Sequence, residues 1–377
     1  MARGMDAELR RRPADVENGP EGVEDVGAAE NAGAAGNVGN AGNIGNVEKK
    51  VRSGERLGRE DGVALFASDD LAWLGGLAHE ARALKNGDVA YFAEHRRLEL
   101  TDDVDAMVES ATRLAAEGAT ELHLATGPGA IWEHCVRALR ALRAALPEAV
   151  ALRAFTAADV SRFAVASKVS ESEVLDELLA AAPASLADGF EGSGAEAEDV
   201  ARQAEGEGWT DWARVHRLAH HKGLTTVCTV RFGYGEESAE RVDHLLRLRE
   251  LQDETGGFRA LLPLRHEGPQ GATGAEVLAT FAVCRLLLDN VAHVAARWAV
   301  HGAQTSQLAL QHGADEMAGP PAAETSRDAD VLTRDELVEL IRDTGFRPVE
   351  RDAHYGVLRS FEGPDPDRRE APQPMRV

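Results

Sequence analysis

Apolar residues first recur at helical spacing in "REDGVALFASDDLAWLGGLAHEARALKNG", at Val63, Leu65, Phe66, Leu71, Leu74 and Leu77. The break at Ser68-Asp69-Asp70 predicts two short helices, because Ser or Asp there can cap the second. "VAYF", beginning at Val89, is a compact apolar run of strand type, and it turns at once into the charged "AEHRRLELTDD". From about Asp103 onward, strand-like and helix-like segments alternate. "DDVDAMVESATRLAAEG" reads as a helix and "ATELHLATG" as a strand, followed by the helix "IWEHCVRALRALRAALPE" and the strand "AVALRAFTA". "SESEVLDELLAAA" opens with a capping box formed by Ser170 and Glu173, and "LTRDELVELIRDTG" with one formed by Thr333 and Glu336.

Strands separated by helices every ~30 to 40 residues imply parallel strands with right-handed crossovers. The expected fold is α/β, a (β/α) TIM-type barrel that is incomplete or modified at its first strand. Loops after the strand C-termini would form any site. A doubly wound sheet is the weaker alternative, since no G-x-G-x-x-G follows the first strand. The barrel is expected over 53–361, with a helical lead-in and a C-terminal helix. Residues 1–52 are low-complexity Ala, Gly, Asn and Glu, with too little apolar surface to offset ordering entropy. They are expected to form a disordered tail, as are residues 362–377.

Composition narrows the function classes. Lys plus Arg is 41 and Asp plus Glu is 64, a net charge of -23. Nucleic acid and anionic membrane surfaces both demand clustered cations, so neither is expected as a partner. No apolar signal region opens the chain, and the apolar stretch from Phe281 to Val300 is interrupted by Arg285, Asp289, His293 and Arg297. A cytoplasmic location is the expectation. Cys135, Cys228 and Cys284 lie far apart, without C-x2-C or C-x3-C spacing, which excludes a thiolate metal site built from local sequence.

Several constellations can carry chemistry. In "DGFEGSGAE", Gly192 and Gly194 can free backbone N–H groups for a carboxylate or phosphate, although a plain βα turn explains them as well. His216 and His220 share a helix face in "VHRLAHHKG", but no H-E-x-x-H glutamate accompanies them, so packing is the default reading and no metal is expected. Tyr234 and Glu236 follow one strand and Asp315 and Glu316 another, where barrels place ligand contacts; exposed turns are the alternative.

Taken together, "REDGVALFASDDLAWLGGLAHEARALKNGDVAYF", "GATELHLATG", "LRAFTAADV", "GSGAE", "AERVDHLLRLRELQDETGGFRALLPL", "CRLLLDN" and "ALQHGADE" resemble the aminodeoxyfutalosine synthase branch of the radical S-adenosylmethionine enzymes. Cyclic dehypoxanthine futalosine synthase and the deazaflavin (FO) synthase subunits belong to the same group. The resemblance spans about Leu57 to Phe361. It implies a TIM-type barrel, a four-iron, four-sulfur cluster with S-adenosylmethionine, and the futalosine route to menaquinone. The family's cluster is held by C-x3-C-x2-C in a loop after the strand ending in Tyr-Phe. Here Tyr91-Phe92 runs through "AEHRRLELTDD" directly into the next helix, so the cluster is expected to be absent.

The resemblance also carries site residues. Thr156 matches the strand motif, and Gly192, Gly194 and Glu196 match the Gly-rich loop. Gly233 and Glu236 match a Gly-His-x-Glu loop in which Tyr234 replaces the histidine. Asp289 and His293 match "LDN..H", with Ala295 in place of a usual lysine, and Asp315 and Glu316 match the acidic loop near the barrel's end. These eleven positions are the expected substrate contacts, with Glu196 and His293 as candidate catalytic groups. The first expectation is a non-catalytic relative that binds a nucleoside, with S-adenosylmethionine as a candidate ligand, or that associates with a genuine radical SAM synthase. The second is an enzyme of menaquinone synthesis using acid/base chemistry in the retained pocket.

Overall fold

The computed structural model describes residues 45–127, 129–181, 184–186, 208–266, 271–319, 322–323 and 332–364. The chain is already helical over 45–53, so the tail expected to reach residue 52 gives way to structure earlier. The cause is packing that composition does not reveal. Val47 is fully buried, and Lys50 reaches Asp61 at 2.8 Å. Two helices follow, over Arg59–Phe66 and Leu71–Asn86, and the Asp70 side chain caps the second by accepting from the Trp73 amide.

The strands fall into two sheets. β1 (Val89–Phe92) pairs in parallel with β9 (Glu316–Ala318) on one side and β11 (Arg347–Arg351) on the other. β2 (His95–Glu99) pairs in parallel with β3 (Glu121–Ala125) and β10 (Ala322–Ala323). Only Ala93 and Glu94 separate β1 from β2. The two strands therefore act as one long strand that changes partners halfway, and β9 and β10 accompany them on the same side. The barrel wall continues from β3 to β4 (Ala151–Ala154) and β5 (Ala184–Ser185), and from β9 to β8 (His293–Arg297), β7 (Phe258–Arg265) and β6 (Thr226–Phe232). Every one of these pairings is parallel, as the alternation of elements predicts. β12 (Val357–Ser360) returns antiparallel to β11 and forms the exposed edge of the seven-stranded sheet.

Three parts of this architecture depart from expectation. The charged run after Tyr91-Phe92, for which no strand was expected, contains strand β2. A helix over Ala157–Ser167 follows β4, capped by Thr156. Strands β11 and β12 close the C-terminal end, where only the helix over Arg334–Asp343 was expected.

Side-chain alternation separates two interiors. Leu122 and Leu124 of β3, Leu152 and Ala154 of β4, and Cys228 and Val230 of β6 face the helices in one large apolar cluster. It also takes in Leu139 and Leu142 of the helix over Trp132–Ala145 and Leu245 and Leu248 of that over Ser238–Thr255. Each such leucine, fully buried, contributes roughly 1.5–3 kcal/mol relative to an exposed one. The opposite face of the strands lines the barrel's lumen, which is apolar where Val227, Ala260, Leu262 and Ala295 cluster and turns polar on β2, β3 and β4.

Candidate functional site

The lumen side of β2, β3 and β4 carries His95, Glu121, His123 and Arg153, all buried. Strand alternation puts them there, since the residues between them face the helices. Arg153 donates from Nε to Glu121 Oε2 at 2.7 Å, and Arg351 donates from β11 to Glu121 Oε1 at 2.6 Å. Burial alone would push the Glu121 carboxyl up. Arg153, His95 and Arg351 outweigh it and hold the group well below the usual carboxylate range. His95 lies beside the same carboxylate, Nε2 to Oε1 at 3.5 Å, with its ring stacked on His123 at 4.9 Å between centroids. Burial pushes the His95 imidazole down, only partly opposed by Glu121, so it is neutral at pH 7.

Arg351 links this group to a second. Its Nε donates to Glu316 Oε1 at 3.1 Å, and the Tyr355 hydroxyl donates to the same residue's Oε2. Burial and Glu316 together raise the Tyr355 phenol well above its ordinary value, with Arg351 opposing. Tyr355 has φ 63°, in the left-handed region that non-glycine residues rarely adopt, and its ring lies flat on His293 at 3.4 Å. His293 Nδ1 meets Asp315 Oδ2 at 2.6 Å, while Asp315 Oδ1 accepts from the Val294 amide at 2.7 Å and from the fully buried Arg285. Burial raises the Asp315 carboxyl, but Arg285, His293 and the Val294 amide bring it below its usual range. An ionised carboxylate that fixes a histidine ring can orient a proton acceptor, the basic requirement of general acid/base work.

The expected site residues divide accordingly. His293, Asp315 and Glu316 are brought together in this buried network. Asp289 is not: it pairs with the exposed Arg56 at 2.9 Å on the turn before β8, at the N-terminal end of the strands. Thr156 caps its helix, accepting from the Asp159 amide at 3.1 Å. Gly233 has φ +84°, and an added Cβ would lie 2.9 Å from Ala272. Glu236 is likewise inward, accepting from the Gly233 and Tyr234 amides at 2.9 Å and from Arg241, so it shapes the loop, whereas Tyr234 is exposed. Gly192, Gly194 and Glu196 lie outside the described residues. His216 and His220 serve packing, both contacting Thr226 Oγ1, at 3.0 and 2.8 Å. Sequence reading missed Glu121, His95, His123, Arg153 and Arg351. The signal was available in the polar residues of "TELHLA" and "ALRAF", set at period two among apolar ones.

Comparison with known proteins decides the family. The chain is 50% identical to aminodeoxyfutalosine synthase of Streptomyces coelicolor over 384 residues, covering 88% of this chain and 98% of that one. The chain belongs to the aminodeoxyfutalosine synthase branch of the radical SAM superfamily. The same enzyme of Thermus thermophilus is 33% identical, with 84% and 96% covered. The family described as the CofH/MqnC C-terminal region matches residues 260–362. Methylornithine synthase shares the fold at 14% identity, with a TM-score of 0.57 and 80% of this chain and 97% of that one covered. The FeFe-hydrogenase maturase HydG of Carboxydothermus hydrogenoformans does so at 15% identity, TM-score 0.57, with 83% and 80% covered. Among the described residues, no helix is long and apolar enough to cross a membrane.

In the aminodeoxyfutalosine synthase branch, the resemblance implies a four-iron, four-sulfur cluster with S-adenosylmethionine. The residues of this chain do not fit that cluster. β2 ends at Glu99 and the next helix begins at Val104, so Leu100 to Asp103 is the whole connection, and it holds no thiol. Cys135, Cys228 and Cys284 are free and buried in three separate elements. Burial pushes Cys135 up to about 11 and Cys284 up to about 12, and it raises Cys228 as well. A cluster needs thiolates gathered at one place, and these are dispersed thiols.

Proposed function

We propose that this member of the aminodeoxyfutalosine synthase branch binds a nucleoside-type ligand in its barrel and works without cluster-dependent cleavage of S-adenosylmethionine. Its role is then that of a partner or regulator of a genuine synthase of the futalosine route to menaquinone. The supporting observation is the thiol-free connection from Leu100 to Asp103, together with three buried, protonated cysteines in separate elements. Anaerobic reconstitution with iron and sulfide is expected to leave the protein without a cluster. Recovery of about four irons and four sulfides per chain would overturn the proposal. Ligand binding is read from thermal unfolding with S-adenosylmethionine, aminodeoxyfutalosine, dehypoxanthine futalosine and adenosine. A ligand at ~100 times its dissociation constant adds roughly 2.7 kcal/mol. A shift with one nucleoside supports the binding role. A flat panel removes it and leaves the partner role, tested by co-elution with a synthase that carries its cluster.

A second reading has its own support. Asp315 orients His293 in a buried, water-poor setting, and the 50% identity runs along nearly the whole of an active enzyme's length. Under this reading the chain catalyses a step of menaquinone synthesis by acid/base chemistry. Turnover should then fall sharply in His293→Ala and in Glu196→Gln. Turnover indifferent to both removes these residues from the mechanism.

A further inference from the structure

The buried triad His95, Glu121 and His123 has a geometry that packing alone does not account for. Nε2 of His95 stands 3.5 Å from Glu121 Oε1, and Nε2 of His123 stands 3.5 Å from Glu121 Oε2. Both separations exceed the usual ~2.7–3.2 Å of a hydrogen bond from nitrogen to oxygen. An ion bound at ~2.0–2.1 Å to nitrogen and oxygen donors in tetrahedral geometry holds its ligands roughly 3.4 Å apart. One donor atom from each of the three residues lies within 4.8 Å of the others, and all three side chains are buried. His95 is 6% exposed, and neither of its ring nitrogens has a hydrogen-bond partner. An unsatisfied buried polar group destabilises the fold, and a bound ion would satisfy it.

We propose that His95, Glu121 and His123 form a site for a single divalent first-row transition ion of the zinc or cobalt type. It lies in the lumen and leaves a fourth coordination position for water or a ligand. Two imidazoles and one carboxylate favour such an ion over magnesium or calcium, which prefer all-oxygen sets. Arg153 and Arg351 do not occupy the carboxylate fully, because its two oxygens offer about four acceptor directions. They act as outer partners that fix the carboxylate's plane, as carboxylate ligands commonly require. Their positive charge opposes a dication, and Glu316, paired with Arg351, offsets part of it. The site is therefore selective for ions that bind imidazole strongly.

The test uses the full chain, stripped with chelator and titrated with cobalt(II) alone. The expected result is about one equivalent bound, with the intense visible absorption of a low-symmetry four-coordinate site. His95→Ala and His123→Ala should each weaken binding by more than the ~10–100-fold that loss of an outer partner causes. His134→Ala, a change to an exposed histidine on a distant helix, should leave it unchanged. Absence of saturable cobalt binding would overturn the proposal, as would binding that persists in both variants. If either variant fails to fold, X-ray absorption of the zinc-loaded wild-type protein decides. Two imidazoles in the metal's first shell uphold the site, and none refutes it.

Discussion

The shell between strands and helices and the lumen inside the strands are both buried, yet they solve the problem of burial in opposite ways. The shell is apolar, and the histidines it admits are neutral. Burial pushes His216 well below its ordinary value and brings His220, His244 and His301 down to about 4. The lumen instead answers its carboxylates with arginines. Glu121, Glu316 and Asp315 are bound to Arg153, Arg351 and Arg285. A shell of neutral groups tolerates small errors of fit, because a methylene more or less changes stability by a modest amount. An ionic lumen depends on completeness, since one missing partner strands a charge in a poorly solvated place. A site that must bind or react is better served by the second arrangement, and a fold that must survive mutation by the first.

Acid should separate the two interiors most strongly. The shell histidines have folded pKa values below the unfolded ~6.5, so the unfolded chain binds more protons as pH falls below that value. Their contribution is present above about pH 6.5 and is lost down to about pH 4, each proton adding roughly 1.4 kcal/mol per pH unit. Taken together the four should bring a domain of ordinary stability to unfolding. Glu121 and Asp315 also have depressed values, but their loss begins only below the unfolded ~4. Denaturant unfolding at a series of pH values should therefore show a steep fall between about pH 6 and 4.5. His244→Gln, which can still donate to the Thr229 carbonyl, should reduce that slope by about one proton. A flat profile down to pH 4.5 would mean that the shell histidines are not held neutral.

Removing one lumen charge comes next in size. Arg351→Met takes the arginine from Glu316 and leaves Glu121 with Arg153 alone, and is expected to cost about 3–5 kcal/mol in urea unfolding at pH 7. A cost below 1 kcal/mol would mean that water reaches these carboxylates. A shell truncation, Leu248→Ala, should cost about 2–4 kcal/mol and should not change with salt. The smallest effect is expected where neither interior is touched. Thr333→Ala removes the cap of the last long helix and should cost about 1 kcal/mol.

Legibility in the sequence followed the same division. Helices and caps could be read because they answer to the shell: Asp70, Ser170 and Thr333 each cap where spacing placed them. "HRRLE" and "RPVER" were not read as strands, because the rule that strands show apolar inward faces fails where the inward face is ionic. The same inversion concealed Glu121 and Arg153, which sit on strands that were correctly recognised. His293, Asp315 and Glu316 were named through family resemblance rather than through any spacing of their own, and the structure brings them together. Asp289 and Thr156 came by the same route and lie apart from that network, one paired with Arg56 and the other capping a helix, since matching a motif does not say what a residue touches.

The connection from Leu100 to Asp103 bears on how readily this protein could change its chemistry. It joins a barrel strand to an outer helix at the chain's surface, where Thr101, Asp102 and Asp103 are exposed. The entropy of closing a flexible connection grows only logarithmically with its length, by about 0.6 kcal/mol per doubling. A segment several times longer, bearing three cysteines, could be grafted between Thr101 and Asp103 at a cost of a few kcal/mol at most. Adding or removing such a segment would thus change the stability of the fold little. The barrel itself is indifferent to what this connection carries, because the connection joins it at an exposed and lightly constrained point.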